Sequence, residues 1–343
     1  MKVLQAMAGA EFGGAEAFFT RLVIALRHAG LHQRVLIRKN ERRAALLRDH
    51  GVEPVEFRFG GPFDMGTRLG FRREIASFKP DIVLTWMNRA SSMCPPADGR
   101  FVHVARLGGY YDLKYYRNCD HLIGNTQDIA DYLSGKGWPE EKAHYLPNFV
   151  SAEKAAPVSR EKFYTPKDAP LILALGRLHE NKAFDVLLES LTRVPDAYLW
   201  LAGEGPKREE LEVMAEKLGV KPRVRFLGWR DDTAALFAAC DLFVCSSRHE
   251  PLGNVVVEAW AQSVPVVAAD SLGPGVLIKN GKNGLLAPVD DAKMLASAIN
   301  RIFGDEDLYH QVAQKGRETY EKKFTEDIVV DKYLKFFQSL LDS

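Results

Sequence analysis

Two glutamates, Glu250 and Glu258, lie eight positions apart in CSSRHEPLGNVVVEAWAQSVPVV, with a Pro-Leu-Gly-Asn turn and three valines between them. A carboxylate can accept from two neighbouring ribose hydroxyls, and a helix starting near Gly253-Asn254 would turn its free amides toward a phosphate. The plainer alternative is a pair of solvated glutamates, since glutamate is common and mostly exposed. In ALGRLHENKAFDVLLES, Arg177 sits just past an apolar run and Lys182 five residues on, at the next helix start. Two cations at a strand–helix junction suit a pyrophosphate; a surface pair is the competing reading. WLAGEGP places Gly203 at a strand end, where a simple turn explains it as well. AEFGGAEAFF puts Gly13-Gly14 between a strand and a helix, where backbone can approach a bulky anion. That loop lacks the full G-x-G-x-x-G of a dinucleotide site.

These loops need strands to carry them, and the chain supplies two series. KVLQAMA, QRVLIR, PVEFRF, DIVLTWM, FVHVARL and HLIGNT read as strands of the first half, with helices between several of them, notably Ala15 to Ala29. LILALGRL, AYLWLAGEG, RVRFLGW, DLFVCSS, PVVAAD and GLLAP form the second series, with helices over Pro206–Leu218, Thr233–Ala239 and Ala292–Phe303. Alternation of this kind predicts an α/β fold with two doubly wound parallel sheets. The expected division is 1–150, a linker over 151–170 rich in Pro, Ala and charge, a second domain over 171–323, and a closing helix over 324–343. Ligands of such sheets sit beyond the carboxyl ends of the strands, so two domains imply a cleft lined by these loops.

Composition narrows the function further. The chain has 343 residues, 46% hydrophobic and 27% charged, with a net charge of +1 that argues against nucleic acid as a partner. The balance conceals an asymmetry of +5 over residues 1–150 and −4 over the rest. The excess is densest in RVLIRKNERRAALLR, which reads as a solvated helix face or as a patch drawn to an anionic membrane or an acidic acceptor. Cys94, Cys119, Cys240 and Cys245 have no metal-ligand or disulfide spacing. MKVLQAMAGA has too short an apolar run for a signal peptide, and no segment approaches a membrane span. The expectation is a cytoplasmic protein, with the inner face of the membrane as its one possible peripheral contact.

GRLHENKAFDVLL, LAGEGP, HEPLGNVVVEAWAQSVPVVAAD and NGKNGLLAPVDD, in that order and spacing, resemble glycosyltransferase family 4, and FGGAE matches that family's N-terminal glycine loop. The resemblance covers essentially the whole chain. It implies the GT-B fold, two Rossmann-like domains facing a central cleft, with the closing helix packed back on the first. It implies a retaining enzyme that takes a nucleotide-sugar donor and needs no metal or other cofactor. On it, Arg177 and Lys182 would hold the diphosphate, Glu258 the ribose and Glu250 the donor sugar. Leu252, Gly253 and Asn254 would present the helix start, Gly203 would lie at the donor, and Gly13 and Gly14 would close over its phosphates. Glu250 is expected to orient and stabilise rather than to act as nucleophile; the usual proposal for such enzymes is front-face attack. The only Asp-x-Asp, Asp305 to Asp307, reads as a helix cap.

Two positions depart from the family pattern. His103 lies inside a predicted strand rather than after one, which makes a satisfied core histidine an equal reading, and Arg106 at the strand's end is the better cleft candidate. Val276 stands where the family commonly has an acidic residue. For the acceptor, ARLGGYYDLKYYR gathers Tyr110 and Lys114 beside a Gly-Gly pair, although a tyrosine-rich helix packed on the core explains the same residues. With the basic stretch Lys39–Arg48 this is similar to transferases that extend lipopolysaccharide core or another membrane-linked glycan. A nucleotide-sugar epimerase of the same fold and a non-catalytic nucleotide-sugar-binding scaffold are the alternatives.

Overall fold

The computed structural model describes residues 1–343 except Phe12, Pro62 and Ser343. The chain divides into two compact units, Met1–Phe149 with Glu326–Ser343, and Val150–Thr325.

The first unit runs β1 Lys2–Met7, α1 Gly14–His28, β2 His32–Arg38, α2 Glu41–Asp49, β3 Pro54–Phe57, α3 Met65–Phe78, β4 Ile82–Trp86, α4 Met87–Met93, β5 Val102–Leu107, β6 His121–Gly124, α5 Gln127–Gly135 and β7 Ala143–Tyr145. Its strands are all parallel, in the order β3-β2-β1-β4-β5-β6-β7. The central strands are mainly apolar, as strands covered on both faces tend to be, with Gln5, Thr85, His103 and Arg106 as buried polar exceptions; β4 (IVLTW) is buried at every position. One face carries Phe18, Phe19, Leu22 and Leu26 of α1, and the other Phe71, Ile75 and Phe78 of α3.

The second unit runs β8 Leu171–Leu175, α6 Phe184–Leu191, β9 Tyr198–Ala202, α7 Arg208–Lys217, β10 Val224–Gly228, α8 Thr233–Ala239, β11 Leu242–Cys245, α9 Asn254–Ala261, β12 Val266–Ala269, α10 Leu272–Leu277, β13 Leu285–Ala287, α11 Ala292–Gly304 and α12 Glu306–Lys323. Its parallel strands lie in the order β10-β9-β8-β11-β12-β13. In both sheets the order reverses beside the first strand, between β1 and β4 and between β8 and β11. Those two switch points open the crevices where doubly wound sheets take ligands. The last helix, α13 Glu326–Ser339, places Val329, Val330, Tyr333 and Phe337 in the first unit's core, against α1.

Residues 151–170 are not a free linker. Arg160 donates to the carbonyls of Ala239, Lys167 and Ala169 and to Asp241, and Trp200 Nε1 donates to Thr165 Oγ1 at 2.9 Å. The stretch has no apolar period because polar side chains fasten it, and it begins the second unit. Asp305 caps α12, its carboxylate accepting from Leu308 N at 2.9 Å.

Candidate functional site

At the switch point of the second sheet, the loop after β8 and the loop after β11 meet. The first leads through Gly176 and Arg177 into a short 3-10 turn, Glu180–Lys182, before α6. The second runs from Ser246 to Gly253 and enters α9. Several polar contacts join them: Ser246 Oγ donates to Lys182 O at 2.8 Å, His249 N to Asn181 O at 3.2 Å, and Arg248 to both oxygens of Asp185 at 3.0 and 2.6 Å. A bidentate arginine–carboxylate pair is a strong positional clamp. These contacts tie the two loops and the start of α6 together as one group.

Within that group Lys182 Nζ donates to Glu250 Oε2, with side-chain exposures of 22% and 13%. Burial disfavours the ammonium, but Glu250, with Cys245 and Glu258 behind it, outweighs that and raises the Lys182 pKa. Lys182 is thus a fixed positive charge, and Glu258, half-buried in the second turn of α9, lies within its field. Arg177 is exposed and forms no ion pair among the described residues. Leu252 and Asn254 are half-buried at the start of α9, and Gly253, at φ 66°, turns the chain into that helix with no side chain capping it. An α-helix start without a side-chain cap favours an anion.

Gly203 has a packing reason of its own. Its φ is 150°, and an added Cβ would overlap Gly176 O, because the ends of β8 and β9 touch there. Gly176, in turn, leaves room for the stem of Lys182, whose Cε would stand 3.0 Å from a Cβ. Gly273 is a site-shaping residue that sequence reasoning missed: its N–H donates to Glu250 O at 2.7 Å, and a Cβ would meet the 250–253 backbone. The Gly-Pro-Gly of SLGPGVL was its only signal. Val276 is 55% exposed.

The first unit treats its candidates differently. Gly13 and Gly14 lead into α1, as expected, but Glu16 folds back into the loop and its Oε1 accepts from Ala10 N at 2.7 Å. A Cβ at residue 13 would overlap the Glu16 carboxylate, whereas residue 14 has open space. Glu16 is 7% exposed and was not singled out from the sequence, although it closes the FGGAE motif; Phe12 of that motif lies outside the described residues.

His103 and Arg106 do not stand open to a ligand. His103 is fully buried; its Nε2 lies 3.0 Å from Thr85 Oγ1 and its Nδ1 2.9 Å from Asn118 O. Burial lowers its pKa to about 4, against the weaker opposing pull of Asn118 O and Asp120. Arg106, 1% exposed, donates from Nε to Tyr333 Oη at 2.7 Å and from Nη2 to Asn148. Its guanidinium lies 4.7 Å from the Phe18 ring and 4.6 Å from that of Trp86. Arginine at a strand's end is here a core residue, because α13 covers it.

Tyr110 is half-exposed and donates to Asp128; burial, and then this bond, raise its pKa. Lys114 is exposed and pairs with Asp112 at 2.9 Å. The tyrosine-rich stretch forms only a 3-10 turn, Leu113–Tyr115, and not a helix; Tyr116 alone of its tyrosines is fully buried.

Half of the basic run 34–48 is engaged by its own neighbours. Arg34 pairs with Glu74, Arg48 with Glu53 and Glu56, and Arg43 is buried with Nη2 donating to Ala10 O at 2.8 Å. Arg38, Lys39 and Arg42 stay exposed and line one pocket with Ala10, Glu11 and Asn40, and Arg38 also lines a second, at the first sheet's own switch point, with Trp86, Asn88, Arg89 and Tyr111, among others. Met87 turns its edge with φ 59°, a conformation uncommon outside glycine. Among the described residues no group of three or more His, Cys, Asp or Glu could hold a metal ion.

Residues 12–154 match the Glycosyltransferase Family 4 family and residues 156–319 match Glycosyl transferases group 1. The chain is similar to the lipopolysaccharide core biosynthesis glycosyltransferases LpsE and LpsD of Rhizobium meliloti strain 1021. With LpsE it is 41% identical over 335 residues, covering 95% of this chain and 96% of the relative. With LpsD it is 36% identical over 339 residues, covering 98% of each. Among solved structures it resembles Anabaena Alr3699/HepE in complex with UDP, with a TM-score of 0.87 at 22% identity, over 99% of this chain and 100% of that one. That likeness shows a shared fold, the GT-B arrangement of two parallel-sheet α/β domains.

Proposed function

The chain belongs to glycosyltransferase family 4, and from that premise we propose that it moves a sugar from a nucleotide-sugar donor to a glycan or glycolipid acceptor of lipopolysaccharide core, with retention and without a metal. The observation that carries this reading is the Lys182–Glu250 pair, set with Glu258 and Arg177 at the second sheet's switch point.

In this reading Glu258 accepts from the ribose hydroxyls, and the start of α9 faces the phosphates. As the bond between the anomeric carbon and the donor phosphate oxygen breaks, Arg177 and Lys182 offset the charge that develops on the departing nucleoside diphosphate. Charges fixed in advance at such a point are usually the largest catalytic term. They also supply what a divalent cation would supply elsewhere, which is the ground for metal independence. Glu250 keeps Lys182 charged and in place, and touches the donor sugar. The acceptor hydroxyl oxygen forms the new bond to the anomeric carbon on the same face, and its proton passes to the leaving phosphate oxygen. No protein nucleophile is required. The acceptor side falls to the Arg38–Arg89 pocket of the first unit. The core-lipopolysaccharide assignment is supported by the two Rhizobium relatives and the nearly complete overlap with them.

Thermal stabilisation by UDP, GDP and ADP, each with EDTA, tests the donor site, with Glu258→Ala and Arg177→Ala as controls. A ligand at a hundred times its Kd adds about 2.7 kcal/mol. One nucleotide should stabilise the wild type without metal and neither variant; equal responses from the variants would overturn the site. The anomeric configuration of the product, read by NMR, tests retention separately.

A further inference from the structure

Helix α3 buries Thr67, Phe71, Ile75 and Phe78 against the first unit and turns another face outward. On that face stand Met65 and Leu69, one turn apart and each 59% exposed, and just before the helix stands Phe63, 94% exposed. Single exposed apolar residues are ordinary, but three large ones within seven residues are not. Arginines surround them. Arg72 continues the Met65–Leu69 row by one turn, Arg68 and Arg73 flank it, and Arg58 follows β3; three are exposed and Arg68 is half-exposed. None of the four forms an ion pair among the described residues. The nearby carboxylates are already engaged, Asp64 by Gly60 N, Thr67 N and Thr67 Oγ1, and Glu74 by Arg34. The patch is therefore apolar at its centre with an excess of positive charge around it, four arginines against the one ionised carboxylate of Asp64.

We propose that this face docks the protein on an anionic lipid bilayer, with Phe63, Met65 and Leu69 entering the headgroup boundary and Arg58, Arg68, Arg72 and Arg73 meeting acidic lipid. An excess of positive charge around a short apolar row is the pattern of a helix that lies in the interface. It also needs both signals, since neither three side chains nor four charges alone holds a protein firmly. No helix among the described residues is long and apolar enough to cross a membrane, so contact of this kind is the one the described helices offer. The site lies on α3 and not on the basic run around Lys39–Arg48, whose charges are paired, buried or directed into a pocket. It goes beyond the proposed transfer reaction and does not depend on it.

The test is flotation of the full chain with vesicles of equal parts phosphatidylcholine and phosphatidylglycerol, and with phosphatidylcholine alone, needing neither donor nor turnover. Two variants accompany it: Phe63→Ser, Met65→Ser and Leu69→Ser combined, and Arg68→Glu with Arg72→Glu. The wild type should float with the anionic vesicles, far less with the neutral ones, and less as salt rises. Each variant should bind at least about tenfold more weakly while melting as the wild type does. Because the second variant keeps the apolar residues, a misfolded first variant would not leave the question open. Wild type that stays unbound, or variants that float equally well, would overturn the proposal. So would a dimer in sedimentation equilibrium that the serine variant dissolves while vesicle binding is absent; the face would then be a contact between two copies.

Discussion

Arg177 and Lys182 in the second unit and His103 and Arg106 in the first all stand on or just beyond parallel strands, yet their surroundings differ. Lys182 keeps a partly open side chain beside Glu250, and Arg177 is exposed with no ion pair among the described residues. Arg106 is enclosed by Phe18, Trp86, Asn148 and Tyr333, and His103 by Thr85, Asn118 and Cys119. Both units follow the same winding, so topology alone does not decide which strand-end charge serves a ligand. What decides is whether another element comes to cover it. In the first unit α13 returns with Tyr333; in the second, the loops hold the charges from the side and leave them accessible.

The sharpest way to break this contrast is to remove one charge from each unit. Lys182→Ala should lower kcat/KM by about 10²- to 10³-fold, the scale of losing one preorganised donor at a developing negative charge. Steady-state kinetics with the donor identified by thermal shift would read it. A loss smaller than about tenfold would reduce Lys182 to a counter-ion for Glu250. Arg106→Leu should act on stability instead. It removes charged hydrogen bonds to Tyr333 and Asn148, and roughly 2–4 kcal/mol of folding free energy should go with them. Urea melts would show the loss, while nucleotide affinity should stay as in the wild type. If Arg106→Leu folds normally but loses turnover, the contrast between the units fails.

How far the sequence carried these assignments differs by region for the same reason. Apolar runs such as IVLTW and LFVC announce buried strands, and the order of charged loops behind the second series marks that site. β7, three half-buried residues reading Ala-His-Tyr, has no apolar run to announce it. The attachment of residues 151–170 rests on Arg160 meeting Ala239 and Asp241, contacts about 80 positions away that no local pattern reveals. The fate of Arg106 depends on Tyr333, 227 positions along the chain. Arginine near the carboxyl end of a strand carries the same local signature whether it is open or covered, while His103, second in β5, lies at the other end of its strand. Glu16 shows the converse: its place in the glycine loop follows from one short turn of helix, but the eye goes to the glycines.

A titration sharpens the comparison further. Burial holds His103 near a pKa of about 4 and His144 near the same value, against about 6.5 in an unfolded chain. As pH falls through 6.5 the unfolded chain takes up these protons and the folded first unit does not. Their contribution to stability is therefore complete above about pH 6.5 and declines toward pH 4, by up to about 1.4 kcal/mol per pH unit for each proton. Stability measured by urea between pH 7 and 4.5 should fall with a slope that His103→Gln makes shallower by one proton. The slope is the readout, so a general loss of stability in the variant does not obscure it. An unchanged slope would mean that His103 takes its proton in the folded state as readily as in water.

The smallest effect belongs to Lys114, the one cationic acceptor candidate from the tyrosine-rich stretch that remains exposed. Its pair with Asp112 is open to water on both sides, with side-chain exposures of 53% and 57%, and it lies 5.0 Å from the Tyr115 ring. Exposed pairs of this kind contribute little to folding, so Lys114→Ala should melt with the wild type. If an acidic acceptor passes this loop, the variant should raise acceptor KM a few-fold, leave kcat in place, and lose even that difference as salt rises. Arg89→Ala, in the pocket at the first sheet's switch point, should raise the same KM more, because no carboxylate among the described residues pairs with its charge, whereas Lys114 is already paired with Asp112. A KM that moves with Arg89 alone would confine the acceptor to that pocket. A KM that moves with Lys114 alone would instead place it on the tyrosine loop, and the switch-point argument would then hold for the second sheet only.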